Sequence, residues 1–244
     1  MQLVPGRSRC RRIAECRLQI EPWQWPLATR HRADIARDWQ RRRAACPALF
    51  DGAVYLFSTY AIDDAALSGT LFKTDFKTLL YWRSLPFAIS DVVREASGAS
   101  LIRSAEGYLL MGRQGPGQLN SGRIYPPSGV IDNDDVVGTA IDIDASIARE
   151  LAEETGLTTN DLHRVPGYCV AIVDQHLTIG IEWRSSLPAE ELRQRILQFI
   201  ASQAAPELED VVIVRPDTWR AIEEMPPHAR VFAGAILSSE PKLK

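Results

Sequence analysis

The segment 149–157, Arg-Glu-Leu-Ala-Glu-Glu-Thr-Gly-Leu, constrains the fold of this chain more than any other part of the sequence. Its three acidic side chains, Glu150, Glu153 and Glu154, stand at positions i, i+3 and i+4. On a helix this spacing places them on one face, roughly 5–6 Å apart. Because like charges so close together are unfavourable on a solvated helix, the pattern predicts neutralisation by a cation or by Arg149.

The residue types on this face favour a hard divalent cation. No His or Cys accompanies the three carboxylates, and ligation by oxygen alone suits Mg²⁺ or Mn²⁺, whereas Zn²⁺ is a poor fit. Such ions keep several waters and share their coordination shell with substrate phosphates. The segment therefore predicts a magnesium site for phosphate chemistry, with Mn²⁺ as the alternative ion.

Start and stop signals predict a helix near 145–155. Asp144 is placed to cap its N-terminus, and Gly156 can adopt the left-handed conformation that ends a helix. Ile147 and Leu151 form an apolar stripe opposite the glutamates, which would dock the helix on a core and hold the acidic face rigid.

The string Arg-Glu-aliphatic-x-Glu-Glu-x-Gly-aliphatic is too specific to be a chance pattern. It resembles the second half of the signature of the Nudix hydrolases, which cleave nucleoside diphosphates linked to another moiety. The family pattern begins with a glycine, whose counterpart here is Gly129, followed by about six residues of extra loop. The first half departs from the family, since Ser128 replaces a second glycine and strict counting places Ile141 where relatives have a glutamate. Asp142 and Asp144 are the alternatives for that carboxylate.

The resemblance implies an α/β/α sandwich with a mixed sheet over roughly residues 98–235. It implies that Glu150, Glu153 and Glu154 hold the metal, that Arg149 locks a glutamate, and that Gly129 lets the loop approach the helix. For the base that activates water, Glu209 is the first choice. The other candidates are Glu207, Asp174 and His176. Arg113 and Arg123 are candidates for binding phosphate.

The flanking sequence shows the strand and helix patterns that this fold requires. It predicts a hairpin over 100–113, strands at 168–173 and 177–183, and an acidic loop that enters a strand over 207–214. It also predicts an amphipathic helix at 189–201 with Leu192, Ile196 and Phe199 or Ile200 inward, and a helix near 216–224.

Residues 1–95 are interpreted as a smaller α+β lobe that precedes a Nudix domain at 96–244. The lobe contains a predicted helix at 31–45 and strand-like segments at 52–60 and 70–74. Scattered short strings in it are similar to the N-terminal part of a Nudix subgroup that hydrolyses UDP-sugars. Its role would be substrate specificity, or packing and contact within a homodimer.

Composition sets broader bounds. The chain has 244 residues, 45% of them hydrophobic, and a net charge of −3, which is typical of a soluble globular protein. No apolar run reaches the roughly 18 residues needed to cross a membrane, and no signal peptide is evident, so we expect a cytoplasmic protein.

No Cys-x-x-Cys pair is present, and reduced thiols are expected. Only four of 28 basic residues are lysines, and the Arg-rich segment 31–43 is interpreted as a solvated face, so no nucleic-acid partner is expected.

Two functions follow from the sequence. The first is a Mg²⁺-dependent hydrolase that cleaves a nucleoside diphosphate linked to X, such as a UDP-sugar or an ADP-ribose type of compound, into a nucleoside monophosphate and phosphorylated X. The alternative is a catalytically weak or inactive module that binds a nucleotide sugar.

Overall fold

A computed structural model describes residues 9–47, 49–86 and 92–238. Within these residues the chain forms fourteen strands and six helices. The strands are β1 (Arg9–Ile13), β2 (Glu15–Ile20), β3 (Ala53–Ile62), β4 (Ala66–Asp75), β5 (Arg94–Arg103), β6 (Leu109–Gln114), β7 (Ile124–Tyr125), β8 (Ser128–Val130), β9 (Val136–Val137), β10 (Ala140–Ile141), β11 (His163–Arg164), β12 (Tyr168–Val173), β13 (His176–Arg184) and β14 (Leu208–Val214). The helices are α1 (Pro26–Arg30), α2 (Arg32–Ala45), α3 (Phe76–Arg83), α4 (Ile143–Thr155), α5 (Ala189–Ser202) and α6 (Pro227–Leu237).

The strands join into one mixed sheet. Its main path runs β1-β12-β13-β5-β3-β4-β2-β10-β9, while β6 connects β5 to β7 and β14, β8 pairs with β5, and β11 pairs with β13. The β13–β5 and β2–β4 pairs are parallel and the other pairs are antiparallel. The predicted α/β class with a mixed sheet is confirmed.

Helices cover both faces of this sheet. On one face α4 and α5 bury Ile147, Leu151, Leu192 and Ile196 in a shared core. On the other face α6 packs through Phe232 against a second core. The apolar residues of α4 and α5 recur at i and i+4, which gives each helix one buried face and explains its position. The result is the predicted three-layer α/β/α arrangement.

Most of the elements predicted from local patterns are present. The hairpin of β5 and β6 pairs Ile102 with Leu110, and β12, β13 and β14 occupy the predicted segments. In α5, Leu192, Ile196 and Ile200 are buried and Phe199 is half-buried.

The prediction of a helix near 216–224 is wrong. This segment contains one 3-10 turn, Trp219–Ala221, and the helix begins only at Pro227. Proline restricts the residue before it to extended conformations, so the pair Pro226-Pro227 prevents a helix from running through to α6. Proline is favourable at the first helical position, and Pro227 occupies that place.

In the N-terminal region α2, β3 and β4 match the sequence expectations, whereas β1 and β2 were not predicted. Trp25, Leu56, Phe72 and Trp82 belong to a buried core between α3 and the sheet. Strand pairing crosses residue 95, because β1 pairs with β12 and β3 pairs with β5. The division of the chain into lobes at residue 95 stays a prediction.

In the described part of the chain, no helix combines the length and the apolar character needed to span a membrane.

Candidate functional site

The helix α4 carries the acidic face and begins two residues earlier than predicted. Its N-cap is Asp142, whose carboxylate accepts a hydrogen bond from the backbone of Ala145 at 3.0 Å. The predicted cap Asp144 lies inside the helix instead and accepts hydrogen bonds from Arg164 and Tyr168, at 3.1 and 2.7 Å. The earlier start follows from packing, because Ile143 is buried on the same face as the residue four positions later.

The C-terminus of α4 has the conformation that glycine permits. Gly156 has a φ of 68°, in the left-handed region, and its backbone N–H donates to Ala152. A side chain at this position would strain the backbone and would also meet the ring of Phe199 on α5.

Strand β8 lies over the acidic face of α4. The backbone N–H of Ser128 donates to Oε1 of Glu154 at 2.8 Å. The next residue, Gly129, lies so close to the helix that a Cβ atom there would be 2.3 Å from Oε1 of Glu150. Glycine at this position is therefore what lets the loop backbone and the Glu150 carboxylate approach each other.

The two glutamates under this strand have carboxyl groups that are shielded from solvent. Glu154 is only 4% exposed, and its Oε2 atom has no hydrogen-bond partner among the described residues. Burial raises the pKa of Glu154 well above its ordinary value, and the charges of Glu150 and Glu207 raise it further. Burial likewise raises the pKa of Glu150 to about 7, with a further contribution from Glu153, while Arg149 opposes the shift. A cation at this face would relieve both effects.

Arg149 connects the acidic face to the extra loop. One guanidinium nitrogen, Nη2, lies 3.0 Å from Oδ1 of Asp135 and 3.7 Å from Asp132. The other, Nη1, lies 3.0 Å from Glu150 and 3.4 Å from Glu153. Burial alone would lower the pKa of Arg149, but the hydrogen bond to Asp135 and the neighbouring carboxylates raise it.

Sequence reasoning missed Asp132 and Asp135 as partners of Arg149. The two residues form a capping box around the 3-10 turn Asn133–Asp135, and their spacing was a signal that could have identified the turn. Ile141, at the position of the family glutamate, is buried in the core. The two alternatives for that carboxylate have other partners, since Asp142 caps α4 and Asp144 binds Arg164.

Among the candidate bases, Glu207 interacts with the helix glutamates. Its charge raises the pKa of both Glu150 and Glu154, and burial raises its own pKa. Glu207 and Glu209 are both exposed residues, and Glu209 lies at an irregularity in the pairing of β14 with β6. Asp174 occupies the turn between β12 and β13 with a φ of 50°, and Nδ1 of His176 lies 3.0 Å from Glu95.

The two arginines proposed to bind phosphate already face acidic groups. Arg113 donates to the backbone oxygen of Gly122 at 3.3 Å and lies 3.6 Å from Glu224. Arg123 lines an open pocket together with Glu223 and Glu224. Arg113 would therefore exchange a protein partner for a phosphate oxygen if it bound substrate.

Over the described ranges, no group of three or more His, Cys, Asp or Glu residues is arranged so that it could hold a metal ion as it stands. The side chains of the acidic face already have protein partners: Glu154 accepts from Ser128, Glu150 and Glu153 both contact Nη1 of Arg149, and Glu153 is 60% exposed. The unpaired oxygen of Glu154 and the carboxyl donor set nevertheless fit a hard divalent cation, once Glu150 and Glu153 turn toward it.

Comparison with known proteins gives likeness at the level of three-dimensional structure. No protein-family model and no curated protein matches the chain. A Nudix hydrolase from M. Smegmatis, RenU, is 15% identical with a TM-score of 0.39, covering 62% of this chain and 90% of that one. The MutT protein from Methanosarcina mazei Go1 is 20% identical with a TM-score of 0.39, covering 59% and 92%.

A bifunctional NMN adenylyltransferase/ADP ribose pyrophosphatase from Francisella tularensis is 16% identical with a TM-score of 0.41, covering 66% of this chain and 44% of that one. At these identities and TM-scores the likenesses carry no argument about function, which has to come from the residues of the site.

Proposed function

We propose that this chain is a Mg²⁺-dependent hydrolase of the Nudix type. It would convert a nucleoside diphosphate linked to X into a nucleoside monophosphate and phosphorylated X. The observation that carries the proposal is the partly buried acidic face of α4, where Glu154 has an unpaired carboxyl oxygen beneath Ser128 and Gly129 of β8. An unpaired buried carboxylate oxygen is unfavourable, and a cation is the partner that this set of ligands suits best.

Glu150, Glu153 and Glu154 would hold Mg²⁺, with Mn²⁺ as the alternative ion. When bound, the metal would polarise phosphoryl oxygens and offset the charge that develops in the transition state. Arg149 keeps Glu150 and Glu153 in place through its contacts at 3.0 and 3.4 Å. Gly129 lets the backbone of β8 lie against the helix beside the carboxylate of Glu150.

For water activation we favour Glu207. Burial and the charge of Glu153 raise the pKa of Glu207 above that of an ordinary glutamate, and its own charge acts on Glu150 and Glu154, which supports a role beside the acidic face. Glu209, the first choice from the sequence, stays a prediction. Glu207→Gln and Glu209→Gln would distinguish the two candidates, because only replacement of the base should lower kcat by about 100-fold or more.

We propose that the substrate is a nucleotide sugar of the UDP-sugar or ADP-ribose type. We also propose that the protein is cytoplasmic. Arg113 and Arg123 would contact its phosphates, Arg113 by exchanging its contact with Glu224. Residues 1–95 would contribute to substrate specificity or to a homodimer contact.

The proposal is tested by incubating the protein with Mg²⁺ and a panel of UDP-sugars, ADP-ribose, NADH, dinucleoside polyphosphates and nucleoside triphosphates, with the products separated by chromatography. We expect a nucleoside monophosphate and a phosphorylated X, and no product in the presence of EDTA. Glu154→Gln should lower turnover by more than about 100-fold, since even the outer partners of metal ligands contribute roughly 10–100-fold.

Glu191→Gln, on the exposed side of α5, is the matched control and should keep full activity. Turnover that survives Glu154→Gln would contradict the metal assignment. A thermal shift with one compound, without turnover of any, would instead favour the binding module, for which the buried Ile141 in place of a glutamate is the supporting observation.

A further inference from the structure

The extra loop that follows Gly129 is attached to the N-terminal strands. Its first residues bind β3 and its last residues bind β2, so that the loop extends the N-terminal part of the sheet. The backbone contacts are Tyr55 N–H to Ile131 O at 2.9 Å, the bridge between Val54 and Asp132, Ile20 N–H to Thr139 O at 2.8 Å, and the pairing of Ala140 with Gln19.

One side-chain contact joins β3 to the turn at the tip of this loop. The hydroxyl of Tyr55, a residue that is 5% exposed, donates to Oδ1 of Asn133 at 3.1 Å. Asn133 begins the 3-10 turn, which is closed by the capping box of Asp132 and Asp135. The hydroxyl therefore ties the turn to a rigid strand in the middle of the sheet.

The same turn holds α4 at two points through Asp135, a residue that is 2% exposed. The backbone oxygen of Asp135 accepts from the N–H of Asp142, the N-cap of the helix, at 2.8 Å. Its carboxylate accepts from Nη2 of Arg149 at 3.0 Å and from the N–H of Asp132 at 3.0 Å. Arg149 is thus held at one nitrogen by the loop, while its other nitrogen faces the glutamates.

We propose that Tyr55, Asn133 and Asp135 form a positioning relay through which strand β3 sets the orientation of Arg149 and, with it, the cation-binding face of α4. This inference rests on the proposed function. Asp135 occupies one side of the guanidinium, which would otherwise turn both nitrogens toward Glu150 and Glu153 and compete with the cation for their oxygens. The relay limits Arg149 to one nitrogen, Nη1, at these two glutamates, and it makes the N-terminal strands part of the site.

The test measures Mn²⁺ binding by the full chain, from the electron paramagnetic resonance signal of the free ion, together with thermal unfolding. Asp135→Asn should weaken Mn²⁺ binding by about 10-fold or more, because it removes a charged hydrogen bond of Arg149. Tyr55→Phe should weaken it by about 2–10-fold, the range of one neutral hydrogen bond. Asp144→Asn is the control, since it removes an ion pair on the same helix that does not involve Arg149. It should leave Mn²⁺ binding within about twofold.

Hydrogen exchange gives a second readout that needs no metal. Amides of residues 131–142 should exchange faster in Tyr55→Phe than in the unchanged chain or in Asp144→Asn. Unchanged Mn²⁺ affinity in both Tyr55→Phe and Asp135→Asn would overturn the inference, as would unchanged exchange in this segment. Absence of Mn²⁺ binding by the unchanged chain would reject the proposed function instead, and the exchange rates would then decide alone whether β3 holds the loop.

Discussion

Gly129 leaves open the space into which the carboxylate of Glu150 extends. A Cβ atom there would lie between 2.3 and 2.8 Å from the three carboxyl atoms of Glu150. These atoms are the end of a flexible side chain, so we expect Gly129→Ala to displace the carboxylate while the backbone stays in place. Activity in the chromatographic assay should fall by more than about 10-fold, with a small change in the free energy of unfolding.

The control for this substitution is Gly234→Ala in α6. A Cβ atom there would make an ordinary contact with Trp219, at 3.4 Å, and alanine is favoured within a helix. It should keep full activity. Full activity in Gly129→Ala would mean that the close approach of loop and helix has no part in the reaction.

His228 is a half-buried histidine at the start of α6. Burial, His176 and Arg83 together lower its pKa to about 4, while Glu95 opposes the shift. The ring centroids of His176 and Tyr125 lie 6.3 and 5.8 Å from that of His228. The N-terminal end of the helix also disfavours a positive charge at this position.

This shift predicts how stability depends on pH. The pKa of His228 is lower in the folded state than in the unfolded state, where histidine has an ordinary pKa of about 6.5. Stability from neutral His228 is therefore fully present above about pH 6.5 and is lost as the pH falls toward about 4, to a total of roughly 3 kcal/mol.

Urea unfolding between pH 7 and 4.5 measures the effect, and comparison with histidine variants separates it from the titration of Glu150 in the same range. His228→Gln should reduce the loss of stability on acidification, while His163→Gln, at an exposed position, should retain it. An equal loss in the unchanged chain and in His228→Gln would contradict the assignment.

At the scale of helices and strands, the sequence predicted the elements whose local pattern decides their structure. The i, i+4 spacing of Ile147 and Leu151 identified α4, and Leu192, Ile196 and Ile200 identified α5. Strand β13 was identified because its run of apolar residues is buried on both faces.

The missed or wrong predictions concern segments whose structure depends on pairing with distant residues or on a helix-breaking proline. Strand β1 is rich in arginine and is a strand because it pairs with β12, a contact that local periodicity does not show. A helix was predicted near 216–224, whereas this segment contains a single 3-10 turn and the helix α6 begins after the proline pair.

The residues of the candidate site likewise include some that the sequence could identify and some that it could not. The three glutamates of α4 share one face through helical spacing, so they could be found from the sequence. The partners of Arg149 in the extra loop could not, because Asp135 reaches Arg149 through the path of the loop. The involvement of Glu207 likewise depends on how β14 joins the sheet through β6.

At the scale of the whole molecule, the sheet is continuous across residue 95. Strand β1 covers the edge of β12 along its whole length, β3 pairs with β5 at Glu95, and β2 pairs with β10 beside the extra loop. Removal of the N-terminal strands would expose the backbone edges of β12 and β10 and would remove the strand that holds the loop of the acidic site.

We therefore expect the fragment 92–244 to be much less stable than the full chain and to aggregate or unfold, although it contains all three glutamates of α4. Size-exclusion chromatography and circular dichroism of the fragment would measure this, and coexpression with residues 1–91 is the control that should restore a folded complex. A monomeric fragment that unfolds cooperatively and binds Mn²⁺ as tightly as the full chain would contradict this view. It would mean that the C-terminal region folds as an independent domain, and that the N-terminal strands contribute to substrate specificity or self-association without shaping the acidic face.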